Sequence, residues 1–350
     1  MRLGVGYHGC HRPDHVARDL DAIVAAGATV VMHRVTEEDL AYRPAHVAAI
    51  VAASRDRGLE TLVDLRGALG LLRGDAVSFS VARDPEIRQR ISDGALVPAA
   101  CPNDSRTGAW LDRWLGVVAP TGANGILWDG PHLWIPGADR WGTSAASTWS
   151  CTCEACVEAW TGHRHGAPGG AMPDRLTPEL RLFRQRSLAG LLGAGFAEAR
   201  AYGLSNVVTL LPADADEPEA LPFDDLAALP YVDGLGTDPD WAARGRAARP
   251  YVRQWAERVA RAVEPRRARS HIWIPLGGIA RRSSDDLSIA VTDAAAAGIR
   301  DLFVRTGAAP AAEGPDLLSR EEAWRIVVEA VRATEDRATE EPPAEERPTS

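Results

Sequence analysis

Leu20-Asp21-Ala22-Ile23-Val24-Ala25-Ala26-Gly27-Ala28-Thr29-Val30-Val31-Met32-His33 contains the unit from which the fold is read. Its first part closes a helix predicted over 14–26, with Val16, Leu20, Ile23 and Val24 on one face. Gly27 sits where a helix C-cap needs a left-handed residue. A short β-branched run, 29–33, follows at once. Helix, glycine, strand is one turn of a parallel βα repeat, and 294–298 leads into the next strand in the same way.

Working outward, eight such strands are predicted, at 3–7, 29–33, 61–65, 125–129, 206–211, 232–237, 271–275 and 301–305. Further helices are predicted near 44–57, 107–118, 177–202, 249–263, 283–297 and 318–333. Eight alternating units imply a (β/α)8 TIM barrel. An open doubly wound sheet is the rival, but Gly4, Gly6 and Gly9 do not space as GxGxxG and two of them lie within the first strand. Two long loops, about 67–106 after strand 3 and about 130–176 after strand 4, fall on the mouth side of such a barrel. The expected organisation is one barrel over 1–334 and a disordered acidic tail over 335–350, where six acids and two arginines accompany three prolines.

Composition narrows the chemistry. The chain has 350 residues and a net charge of −9, with no basic surface of the kind that binds nucleic acid. No apolar run reaches the roughly 18 residues of a membrane span, and the chain opens directly on a strand, so a cytoplasmic location is expected. Five cysteines in a reducing compartment argue against a disulfide framework. All 39 basic residues are arginine. Schiff-base, pyridoxal-phosphate and Walker-type chemistry, each of which needs a lysine, is therefore excluded.

Cys151-Thr152-Cys153-Glu154-Ala155-Cys156 gives CxCxxC ahead of a helical run, and Cys101 lies in the loop after strand 3. Loops after neighbouring barrel strands meet, so Cys101, Cys151, Cys153 and Cys156 are expected to bind a structural zinc with no open coordination position. Buried free thiols are the alternative. Cys10 is read as a free thiol. Cys101-Pro102-Asn103 and Trp149-Ser150-Cys151-x-Cys153-x-x-Cys156 resemble the zinc site of family 42 β-galactosidases and of related glycosidase-like barrels. The resemblance implies the same four ligands. It does not extend to that family's two catalytic glutamates: strand 4 ends Trp128-Asp129-Gly130, and strand 7 reads Ile272-Trp273-Ile274-Pro275.

Catalytic groups of a TIM barrel sit at the C-terminal ends of its strands. Asp129 and Asp238 end strands 4 and 6 and form the candidate carboxylate pair for acting on a glycoside. Barrel α-glycosidases of the α-galactosidase and family 31 groups are similar in placing aspartates there. Candidate substrate-binding residues are His8, His33, Arg34, Asp64, Arg66, His132, Trp134, Trp241, Trp273 and Arg305. Trp134, Trp141, Trp149 and Trp241 could stack on sugar faces or form a core for the insertion. Arg34, Arg66 and Arg305 could hold an anion or pair with Asp64, Glu37 or Glu38. His8, His33 and His132 with Asp64 and Asp129 suggest a second reading, a metal- or histidine-dependent isomerase or lyase on a sugar-like molecule. A barrel that only binds carbohydrate is the third. In each reading the partner is a small carbohydrate-like molecule, with no nucleic acid or membrane, and oligomeric state is left open.

Overall fold

The computed structural model describes residues 1–7, 13–74, 78–134, 148–163, 171–212, 221–306 and 314–340; the side chains of 13–14, 66–69, 163, 306 and 338–340 are not described. The strands are β1 (Arg2–Tyr7), β2 (Val30–Arg34), β3 (Glu60–Asp64), β4 (Arg88–Arg90), β5 (Leu96–Ala100), β6 (Gly125–Asp129), β7 (Ser205–Leu210), β8 (Gly234–Thr237), β9 (Arg269–Ile274) and β10 (Asp301–Thr306). Eight of them close a parallel barrel in the order β1-β10-β9-β8-β7-β6-β3-β2. The TIM-barrel expectation holds. β4 and β5 form a separate antiparallel hairpin within the loop after β3, which the sequence pattern did not indicate.

The helices are α1 (Pro13–Ala25), α2 (Glu37–Tyr42), α3 (Pro44–Arg55), α4 (Arg66–Arg73), α5 (Phe79–Arg83), α6 (Ser105–Val118), α7 (Glu154–His163), α8 (Pro178–Ala201), α9 (Phe223–Ala227), α10 (Ala248–Val263), α11 (Asp285–Ala296) and α12 (Arg320–Glu340). Polar caps start several of them: Thr36 and Asp39 form a capping box on α2, Asp104 caps α6 and Thr177 caps α8. The last helix extends to Glu340, past the boundary expected at 334, and the Met1 amino group lies 3.8 Å from its Glu335. Residues 341–350, the remainder of the predicted tail, lie outside the described residues. No described helix is long and apolar enough to cross a membrane.

Strand alternation divides the apolar side chains into two cores. The larger packs the outer faces of the strands against the helices, for example Val31, Val63, Ile126 and Val208 against Leu20, Ile50, Leu115 and Leu192. The smaller fills the barrel interior with Val30, Met32, Leu62, Leu127, Trp273 and Phe303. Inward glycines make room for these rings. A Cβ on Gly4 would lie 2.5 Å from Phe303, and one on Gly236 would lie 2.2 Å from His271.

Two residues below the inner apolar layer, the same inward positions carry charge. Asp301 accepts from Arg2 Nε and Nη2 at 2.8 and 2.9 Å and from Arg269 Nε at 2.8 Å. Arg269 Nη2 also donates to it, and Arg2 Nη1 reaches Glu60 at 2.5 Å. This ion cluster is the barrel floor. Burial alone would raise the Asp301 carboxyl, but the hydrogen bonds from Arg269 and Arg2 outweigh it and hold the group below the usual carboxylate range.

Candidate functional site

Two residues above the apolar layer lies the mouth, built from Arg34, Asp64, Asp129, Asp238 and Arg305 above Trp273. The register fixes this set. Arg34 is the Cα partner of Asp64, and Asp129 follows Leu127 at the next inward position of β6. Asp238 comes one residue after β8, two beyond inward Gly236. Arg34 Nε donates to Asp64 at 3.0 Å, and its Nη2 lies 3.7 Å from Asp129 Oδ2. Arg305 Nη2 lies 2.5 Å from Asp238 Oδ2 and 3.7 Å from Asp129 Oδ1. One guanidinium nitrogen therefore spans the two candidate carboxylates, which bounds the separation of their nearest oxygens at about 6 Å. The Arg305 guanidinium carbon sits 4.9 Å from the centre of the Trp273 ring, a cation–π contact that fixes its position.

Asp238 is buried, and burial pushes its carboxyl upward. Arg305 opposes that shift, while Asp129 and Asp240 add to it. Below Arg305, Trp273 Nε1 donates to Thr209 Oγ1 at 2.9 Å, and the same hydroxyl lies 2.9 Å from His271 Nε2. His271 stacks on Phe303, and burial lowers its pKa to about 4, so it is neutral at neutral pH. Arg73 of α4 donates to the Asp129 backbone carbonyl at 3.2 Å. Sequence reasoning missed Thr209, His271 and Arg73. Strand parity would have found the first two, since both share the inward side with Asp129 and Trp273.

Other predicted site residues fall elsewhere. His33 alternates with Arg34 and faces outward, where its Nε2 lies 2.7 Å from Ser54 Oγ of α3 and its ring meets Tyr7 edge-on. Trp134 is buried against Ile91, Val97 and Ala99 of the hairpin region, and Trp149 against Trp160, Leu180 and Phe183. Trp241, 1% exposed, belongs to the main core. These three indoles are buried among other apolar side chains. His132 follows β6, is nearly buried and donates from Nδ1 to the Leu133 carbonyl at 2.7 Å. Among the described residues Glu37 pairs with no arginine: it accepts from Ser78 Oγ at 2.9 Å and Ser80 N at 2.9 Å, tying α2 to the loop after β3. His8, Cys10, Trp141, His165 and Asp214 lie outside the described residues, as do the side chains of Arg66 and His163.

The four cysteines do converge. Cys101, Cys151, Cys153 and Cys156 bring their sulfurs within 4.8 Å of one another. Cys101 follows the hairpin, and Cys156 lies in the first turn of α7, so the cluster joins the two long mouth-side loops. Its surroundings suit thiolates bound to a metal. Asn103 N and Arg90 N point at Cys101 and Cys151 sulfurs at 3.4 Å each, and Asn103 Nδ2 donates to Cys156 at 3.2 Å. Such N–H···S contacts offset sulfur charge around a bound cation. These residues could hold a metal ion.

No protein-family model matches the sequence, and no curated protein does. Similar solved structures exist. The catalytic domain of a β-amylase from Paenibacillus polymyxa superposes with a TM-score of 0.63 at 12% identity, covering 87% of this chain and 91% of that one. A β-galactosidase from Bacillus circulans sp. alkalophilus gives 0.66 at 11% identity over 96% of this chain, which spans 56% of that longer protein. A D-psicose 3-epimerase crystallised with D-fructose gives 0.51 at 11% identity, covering 96% and 99%. At these identities the likeness establishes the TIM-barrel fold.

Proposed function

We propose that this barrel is a carbohydrate-active hydrolase in which Asp238 is the general acid and Asp129 the ionised partner that attacks the anomeric carbon or activates water. The observation that carries this reading is the single Arg305 nitrogen reaching both carboxylates. It keeps their nearest oxygens no more than about 6 Å apart, a range that includes the spacing of about 5–5.5 Å at which retaining glycosidases work by direct attack. Their environments also differ, as the two roles require. Burial favours the protonated form of Asp238, and Asp129 faces two guanidinium groups. The similar structures with starch- and galactoside-directed names support a sugar substrate. The pairing of Asp64, Asp129 and Asp238 with arginine favours this reading over a metal-dependent isomerase, because guanidinium already supplies the positive charge a divalent ion would bring.

The test is turnover of a panel of nitrophenyl glycosides. Asp129→Asn and Asp238→Asn should each lower the rate by at least about a thousandfold while ligand binding persists, because the lost interaction belongs to the transition state. Near-wild-type turnover by Asp129→Asn would sink the carboxylate-pair reading. Binding without turnover in the wild type would favour a barrel that only binds carbohydrate.

Zinc is the proposed ion of the cysteine cluster, in a structural role, since four thiolates leave no open position. Protein purified without added metal should contain about one zinc per chain by elemental analysis, and Cys153→Ser should lower that content and the melting temperature. A metal content near zero would overturn it.

A further inference from the structure

The mouth holds a donor that the described acceptors leave unused. As it stands, Arg305 Nη2 serves both Asp238 and Asp129, yet Arg305 Nε is buried with no hydrogen-bond partner among the described residues. A buried, unpartnered guanidinium N–H costs free energy unless something arrives to accept from it. Nε and Nη2 form the edge of arginine that grips a carboxylate with two parallel bonds. Asp238 uses only the Nη2 half of that edge. General-acid chemistry, moreover, needs Asp238 protonated. Protonating Asp238 removes the nearest of the carboxylates around Arg305 and leaves Asp129, Asp64 and Asp240.

We propose that Arg305 is the specificity residue of this site, gripping a carboxylate on the substrate, so that the natural ligand is an acidic sugar of the uronic-acid class. The proposal rests on the hydrolase reading above and adds the substrate class to it. The substrate carboxylate would take the Nε–Nη2 edge and satisfy the orphaned N–H. Asp238, losing its 2.5 Å partner, takes up a proton from solvent and becomes the acid that protonates the leaving oxygen. Trp273, 4.9 Å below the guanidinium, keeps the fork oriented during the exchange. Neutral sugars would leave Arg305 on Asp238 and the acid ionised. Arg34 is a poorer candidate, because its Nε is already committed to Asp64 at 3.0 Å.

Isothermal titration of the whole protein with sodium D-glucuronate and D-galacturonate, against D-glucose and D-galactose, tests this directly. The acidic sugars should bind at least about tenfold tighter than their neutral counterparts, with a preference that weakens as salt rises. Titrations in buffers of different ionisation enthalpy should show proton uptake with the acidic sugars, absent in Asp238→Asn. Arg305→Gln should abolish the preference. Arg305→Lys, which keeps the charge and loses the fork, should retain only part of it. Equal binding of acidic and neutral sugars by the wild type overturns the proposal, as does a preference that survives in Arg305→Gln or the absence of acidic-sugar binding. The wild-type comparison needs no variant to fold. The two readings also fail separately: equal binding removes the Arg305 assignment and leaves the carboxylate pair, while Asp129→Asn turnover removes the pair and leaves the binding preference.

Discussion

The floor and the mouth of this barrel are made from the same residue types at the same inward parity, and they behave oppositely. At the floor two arginines converge on one aspartate, and Asp301 is held firmly ionised. At the mouth one arginine nitrogen is divided between two aspartates, and Asp238 is pushed towards its protonated form. The difference lies in the ratio of donors to acceptors. Several guanidinium donors on one carboxylate hold its charge in place and serve stability, whereas one donor nitrogen shared between two carboxylates leaves a proton that can move.

The sharpest way to break this comparison is to exchange acid for amide at each end. Asp301→Asn removes the charge that Arg2 and Arg269 share, leaves Arg2 with Glu60, and should cost on the order of 1–2 kcal/mol of stability, since both guanidiniums are partly exposed and can rehydrate. Turnover per folded molecule should be unchanged. Asp238→Asn should leave the melting temperature equal or higher while turnover collapses. Chemical denaturation with parallel rate measurements checks both, and a large stability loss in Asp238→Asn would show that the mouth is a structural network like the floor.

A smaller effect sharpens the contrast through pH. The folded-state pKa of Asp301 is lowered, so its contribution to stability is present above the unfolded value of about 4 and is lost as pH falls through the folded value. That of Asp238 is raised by burial, so the folded state binds the extra proton and stability declines as pH rises from about 4 through the folded value. Melting curves against pH should therefore show an acid limb that flattens in Asp301→Asn. The decline at higher pH should be reduced in Asp238→Asn. Limbs that do not change with these substitutions would refute the assignment of the two ends.

The barrel was legible because the βα units repeat a local signal, and a glycine before the strand marks several of the boundaries, as at Gly27, Gly58, Gly203 and Gly298. Asp129, Asp238, Arg34, Asp64 and Arg305 were legible for a similar reason, since a strand end in a TIM barrel points at the mouth. His33 was misplaced by ignoring alternation: with Arg34 inward, its neighbour must face the helices, and it meets Ser54 there. Trp134 and Trp241 are packed, the alternative that the sequence left open beside stacking on a sugar. Which face of a loop indole is buried depends on the path of the whole insertion, and the β4–β5 hairpin that covers Trp134 has strands too short to leave a pattern. Arg73 reaches Asp129 only because α4 folds back over the mouth, a long-range contact that no spacing records.

The contact between Met1 and Glu335 has a practical consequence. Strand β1 starts at the floor, and α12, running back from the end of β10, brings Glu335 to the same place. An affinity handle or a solid support joined through residue 1 is therefore attached at the face opposite the mouth. A sensor surface prepared that way would present the binding cleft outward, towards the flowing analyte, without further orientation chemistry.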